Sequence, residues 1–352
     1  MAQKSKKHTK ARFYQRKGVL WGVGIPTALV LLVLLAFRVS PVPGAFIVRQ
    51  VFDNGAAKTK QALQKYTPSG VSKIADQQYA SSDKDAYLDV YYPTETNNDA
   101  RLPTVVWTHG GGWLSGDKAN VEPYFRLMAS KGYTVISLDY TLAPKRIYPT
   151  QIHQLNQAHS YIQANAERFH VDTNNIFLAG DSAGAQLSAQ LATLVTNPSY
   201  AQEVGVTPSL KPAQLKGVVL NCGIYKMEGL THPNPTGPKI VGWGSDVTVW
   251  AYSGTRDFSS PVIRQMSLYY YVTKDFPSTF ITGGNADALT DAQSKPLADK
   301  LQSLGVPVTR LFYEPNHQPE LPHEYQFNLD TADGQKALND IIEYLKKNTA
   351  IQ

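Results

Sequence analysis

Residues 176–196 read IFLAGDSAGAQLSAQLATLVT: an apolar run, a turn of small residues, and a longer stretch rich in Ala and Leu. Ile176 to Ala179 has the length and composition of a buried strand, and Ala183 to Thr196 those of a helix. Little chain separates the two. Gly180 and Gly184 flank the bend, where the absence of a side chain lets a strand turn sharply into a helix without collision. A strand that feeds directly into a helix is the unit of a sheet covered by helices, so this one stretch points to an α/β class.

The rest of the chain repeats the alternation in both directions. Strands are expected at Tyr87–Tyr92 (stopped by Pro93), Thr104–Thr108, Tyr133–Leu138, Leu215–Leu220, Ser278–Ile281 and Thr309–Tyr313. Helices are expected at Val121–Lys131, Gln151–Phe169, Ala292–Leu304 and Gly334–Lys347. The pattern predicts a mainly parallel central sheet with helices on both faces, forming a catalytic domain over residues 85–350. Residues 225–275 break the rhythm with prolines, glycines and aromatics (Trp243, Trp250, Tyr252, Tyr269, Tyr270, Tyr271), and read as a cap-like insertion over the sheet's active edge. Residues 39–84 read as a juxtamembrane linker. Within them Phe46–Tyr66 has helical spacing, and Thr67-Pro68-Ser69-Gly70 ends it.

The formal net charge of +6 is unevenly distributed. Residues 1–17 carry Lys4, Lys6, Lys7, Lys10, Arg12, Arg16 and Lys17 and no acid, leaving the remainder close to neutral. The body thus lacks the charge excess that attracts nucleic acid. Gly18 to Phe37 is uncharged and includes the run Leu29 to Leu35. Its length matches the ~30 Å hydrocarbon core, so residues 18–38 are expected to be a transmembrane signal-anchor behind a basic cytoplasmic tail at 1–17. This predicts a single-pass cell-membrane protein whose residues 40–352 lie outside the cytoplasm. The alternative, secretion after signal cleavage, is disfavoured because no Ala-x-Ala follows the apolar run. The single cysteine, Cys222, excludes an intramolecular disulfide and reads as a buried small residue.

Two motifs carry chemistry. Gly180-Asp181-Ser182-Ala183-Gly184 fits Gly-x-Ser-x-Gly between strand and helix, a context that raises a serine hydroxyl above a sheet edge at a helix N-terminus. His109-Gly110-Gly111-Gly112 follows another strand, and its glycines allow several backbone N–H groups to face one point, as an oxyanion requires. In this chain order an acid and then a histidine are due after the serine. Asp287 follows a late strand; Asp291 is the second candidate and suits the first turn of the next helix. His317 and His323 both follow the last strand, and the distance onward to the final helix suits His323. No His/Cys/carboxylate spacing suggests a metal, and no cofactor is expected.

His109-Gly-Gly-Gly, Asp139-Tyr140-Thr141-Leu142-Ala143-Pro144 and Gly180-Asp-Ser-Ala-Gly, in that order, resemble the hormone-sensitive-lipase-like branch of α/β-hydrolase serine esterases, over roughly residues 85–347. The resemblance implies that Ser182, Asp287 and His323 form a catalytic triad. It further implies that the amides of Gly111, Gly112 and Ala183 make the oxyanion hole, and that His109 orients the glycine loop. The aromatics of His323-Glu324-Tyr325-Gln326-Phe327 resemble the family's His-Gly-Phe. Thr141 replaces the family's arginine, and Ala185 stands where a third glycine is common. The implied substrate is a small-molecule or lipid-like ester with a short to medium acyl chain. Peptidase or acyl-transferase chemistry on the same fold, and an inactive surface binding protein, are the alternatives.

Overall fold

The structure is a computed structural model that describes residues 24–231 and 239–349. Eight strands form one sheet in the order β1-β2-β4-β3-β5-β6-β7-β8. They are β1 (Val71–Gln78), β2 (Tyr87–Pro93), β3 (Leu102–Thr108), β4 (Thr134–Leu138), β5 (Val171–Asp181), β6 (Leu215–Asn221), β7 (Thr279–Gly283) and β8 (Val308–Phe312). β1 and β2 pair antiparallel, β2 pairs antiparallel with β4, and every pairing from β4 to β8 is parallel. This is the mainly parallel sheet expected from the alternation of elements, and it agrees with the α/β-hydrolase fold that the motif resemblance implies.

Strand residues divide between two cores because successive side chains leave opposite faces of a pleated sheet. Val106, Ile136, Leu178, Val218 and Ile281 face helices Thr150–Ala164 and Ala183–Thr196, meeting Leu155, Ile162, Leu187 and Leu191. Val105, Trp107, Val135, Phe177, Val219 and Phe280 face helices Glu122–Ala129 and Ala332–Asn348, meeting Phe125, Met128, Ile341 and Leu345. Burial on both faces is why these strands read as continuous apolar runs.

The N-terminal third departs from expectation. Residues 71–78 are not linker, since β1 adds an antiparallel edge strand to the sheet. Its sequence VSKIADQQ is polar and half-exposed, and a register shift between Ile74 and Gln77 interrupts the alternation that would betray a strand. The expected helix at Phe46–Tyr66 begins earlier, spans Val42–Leu63, and buries Gly44, Ala45, Val48 and Leu63. It packs on residues of the insertion at 225–275: a methyl at Gly44 would lie 3.0 Å from Val247 and 3.3 Å from Trp243. The insertion at 225–275 is helical, with Glu228–Thr231, Lys239–Ser253 and Pro261–Met266. The expected helix at Ala292–Leu304 is a π turn, Thr290–Ser294, leading into Lys295–Ser303.

The expected tail at 1–17, and residues 18–23 of the expected anchor, lie outside the described residues. The described part is helix Ile25–Val39, with Leu29 to Leu35 all more than half exposed. No single helix among the described residues is long and apolar enough to cross a membrane. Ile25–Val39 and Val42–Tyr66 meet that criterion only together, as a pair bent by 79°.

Candidate active site

Ser182 stands between β5 and helix Ala183–Thr196 with φ 49° and ψ −119°. A side-chain-bearing residue holds such a conformation only at a cost of about 1–3 kcal/mol, which the surroundings must offset. They do so in two ways. The Ser182 amide donates to the Asn221 carbonyl at 2.8 Å, tying the turn to β6. Helix and strand also approach too closely for any side chain at the flanking positions. A methyl at Gly180 would lie 2.5 Å from the Gly184 carbonyl, and one at Gly184 would lie 2.5 Å from the His109 carbonyl oxygen.

The structure places Ser182 Oγ 3.0 Å from His323 Nε2, and His323 Nδ1 2.7 Å from Asp287 Oδ2. Asp287 is buried, whereas the His323 side chain is about 37% exposed. Asp287 is fixed in turn: its Oδ1 accepts the Leu289 amide at 2.9 Å. The competing candidates fall elsewhere. His317 Nε2 pairs with Asp333 at 3.1 Å and its ring packs on Tyr313. Asp291 pairs with Lys295 at 2.7 Å on the surface. Burial works against the His323 imidazolium, while the Asp287 carboxylate hydrogen-bonded to Nδ1 favours it. The balance holds the pKa well above the ordinary histidine value.

Opposite this array lies the glycine loop. Gly111 and Gly112 have φ of 89° and 59°. Among the described residues their amides donate to no protein acceptor, and the amide of Ala183, first residue of its helix, has no partner within that helix. The loop is braced from behind. Asp181 Oδ2 accepts the Gly110 amide at 2.9 Å, and Asp181 Oδ1 accepts Trp107 Nε1 at 2.7 Å. Burial and then the nearby Glu324 push the Asp181 pKa up to about 7. His109 Nδ1 lies 2.9 Å from the Gly110 carbonyl; because a carbonyl only accepts, this nitrogen carries the proton. The His109 ring stacks on Tyr140 at 4.4 Å, and burial lowers its pKa, so it braces the loop as a neutral ring.

The BD-FAE family model matches residues 88–301, more than half of the chain. The chain belongs to the BD-FAE family. The match includes the glycine loop, Ser182 and Asp287, and ends before His323. Among curated relatives, this BD-FAE chain is 30% identical over 219 residues to a putative alpha/beta hydrolase, R526, of Acanthamoeba polyphaga mimivirus, covering 60% of this chain and 58% of that one. It is 28% identical over 205 residues to esterase LipC of Mycobacterium tuberculosis, covering 57% and 49%. The chain thus spans about half the length of the curated relatives it matches. Among solved structures, inhibited esterase B from Lactobacillus rhamnosis is similar at TM-score 0.74 and 22% identity, covering 87% of this chain and 97% of that one. An esterase from Pyrobaculum calidifontis is similar at TM-score 0.69 and 23% identity, covering 92% and 97%. At these identities the likeness establishes the α/β-hydrolase fold.

Four side chains near the site of this BD-FAE member escaped the sequence reading. From helix Val42–Leu63, Arg49 donates to the Leu114 and Ala143 carbonyls, the second at 3.0 Å, and Asp53 accepts from Ser115 Oγ. Phe52 lies over the glycine loop: a methyl at Gly112 would be 2.8 Å from its ring. Glu324 stands beside His323, with Oε1 3.9 Å from Nε2. The one signal available was charge: Arg49 and Asp53 interrupt an otherwise apolar helix face. Among the described residues, one His/Cys/carboxylate group is close enough to share an ion, Cys222, Asp287 and His323, with donor atoms within 4.8 Å. Both imidazole nitrogens there face Ser182 and Asp287, and burial keeps the Cys222 thiol protonated, so the donors suit proton transfer better than a cation.

Proposed function

We propose that this chain is a serine carboxylesterase acting on carboxylic esters with short to medium acyl chains. The observation that carries the reading is the continuous line Ser182 Oγ, His323 Nε2, His323 Nδ1, Asp287 Oδ2, with spacings of 3.0 and 2.7 Å at its two gaps. His323 takes the Ser182 proton as Oγ bonds to the ester carbonyl carbon. Asp287 fixes the tautomer and stabilises the imidazolium. The carbonyl oxygen becomes an oxyanion facing the amides of Gly111, Gly112 and Ala183. When the C–O bond to the alcohol breaks, the imidazolium returns its proton to the leaving oxygen. Water, deprotonated by the same imidazole, then releases the acid from the acyl-enzyme.

Attachment to a membrane through the N-terminal segment, with the catalytic domain outside the cytoplasm, is the second part of the proposal. The basic run at 1–17, the exposed Leu29–Leu35 stripe and the bent apolar helix pair support it.

The test is turnover of p-nitrophenyl esters from acetyl to palmitoyl by the full chain and by S182A, with a fluorophosphonate label on Ser182. The expected result is labelling, a preference below about ten acyl carbons, and loss of nearly all turnover in S182A. Full turnover in S182A would overturn the assignment. Resistance to carbonate extraction from membranes tests the attachment.

A further inference from the structure

Glu324 has no role in the hydrolytic steps above, yet its carboxylate stands at the reacting atoms. Its Oε1 is 3.9 Å from His323 Nε2, the nitrogen that meets both Ser182 Oγ and, during turnover, the departing alcohol oxygen. The same oxygen borders the glycine loop, 3.2 Å from where a methyl on Gly110 would lie. The backbone at Glu324 is left-handed, φ 61° and ψ 27°. Glycine adopts that conformation freely and glutamate at a cost. The resembling esterases carry glycine at this point of His-Gly-Phe, so the long acidic side chain is a feature of this chain.

No hydrogen bond to the Glu324 carboxylate occurs among the described residues, and no Lys or Arg lies within ion-pair distance of it. It is about one-third exposed, so a substrate can reach it. The neighbouring carboxylates are Asp181 and Asp287. Of the groups acting on Asp181, His109 alone could be cationic, and burial keeps that ring neutral. With His323 in the neutral form that takes the Ser182 proton, the charged groups beside Glu324 are carboxylates, and a cleft of one sign concentrates the opposite charge.

We propose that Glu324 is a specificity-determining residue selecting esters whose alcohol part carries a positively charged ammonium group close to the ester oxygen. The proposal rests on the esterase reading and adds the class of alcohol. With the ester oxygen at Nε2, an ammonium two carbons further along the alcohol reaches the Glu324 carboxylate. An alcohol bearing an anion in the same place is repelled.

Butyrylcholine and 3,3-dimethylbutyl butyrate differ in charge at nearly constant shape, so the pair separates charge selection from ester hydrolysis as such. With the full chain, kcat/KM for the cationic ester is expected to exceed that for the neutral one by about fivefold or more, the factor for unit charges ~4 Å apart in a wet site. The ratio should shrink between low and high salt. E324Q and E324G should both bring it close to one; E324G also relieves the left-handed backbone, guarding against misfolding as the cause. A wild-type ratio near one, or a preference that survives in both variants, overturns the proposal while leaving the esterase reading intact. Failure to hydrolyse the neutral butyrate at all overturns both.

Discussion

The carboxylate of Asp181 accepts the amide of Gly110 at 2.9 Å, so the turn that carries Ser182 also holds the glycine loop facing it. One buried side chain thus links the two motifs. D181N retains the shape but offers a donor where Trp107 Nε1 or the Gly110 amide needs an acceptor. Leaving a buried donor unmatched costs about 1–3 kcal/mol. D181N should lose that much stability in denaturant melts and should lower kcat more than it raises KM, because the misplaced loop matters most once the oxyanion forms.

H323A and H317A separate the two histidines that follow the last strand. H323A should reduce ester turnover by about three orders of magnitude or more. H317A removes a pairing with Asp333 and a ring contact with Tyr313, neither at the reacting atoms, and should leave kcat/KM within about threefold. Steady-state kinetics on p-nitrophenyl butyrate decide; equal losses in both variants would remove His323 from its proposed place.

The pH profile follows from the environment of His323. The base acts when neutral, so kcat/KM rises with pH through the imidazole pKa. Because that pKa is held well above the ordinary value, the acid limb should have its midpoint above about 6.5. D287N removes a charge that favours the imidazolium. It should move the midpoint to lower pH and also depress the plateau, since the tautomer is no longer fixed.

Helix Val42–Leu63 should matter to activity although it lies outside the family match at 88–301. R49M deletes the guanidinium that spans the Leu114 and Ala143 carbonyls, and should lower kcat about tenfold or more by loosening the loop. F52A opens space beside Gly112 and should shift preference toward bulkier acyl groups. An ester-panel profile unchanged in F52A would show that the ring does not border the acyl group.

G184A is a severe test of the turn. Its methyl would meet the Thr108 and His109 carbonyls, which are sheet and loop backbone unable to yield locally. The variant should be strongly destabilised or fail to accumulate as folded protein; near-normal stability would mean that strand and helix do not pack as described.

The sheet and the strand–serine–helix turn were legible because their signals are local. Apolar runs buried on both faces, and glycines where no side chain fits, can be read from neighbours in sequence. Helix Ala183–Thr196 has the expected bounds for that reason. β1 was illegible because an edge strand with polar residues and a register shift has no alternation to read. Arg49, Phe52 and Asp53 were illegible because their partners lie about 60 residues or more away, and helical spacing gives the face of a helix but not what it meets. His317 and His323 fall in the same loop, and local pattern could rank them but only the folded path of that loop separates their positions.

Cys222 is fully buried at the end of β6 and is the one thiol in the sequence. Maleimide or iodoacetamide chemistry on the native protein therefore meets a silent background. Cysteines introduced together at the exposed sites Gln50 and Ile240 would be the only reactive sulfurs. A fluorophore or spin label on helix Val42–Leu63 and another on the cap could then report the distance between them during turnover, with the native cysteine left in place.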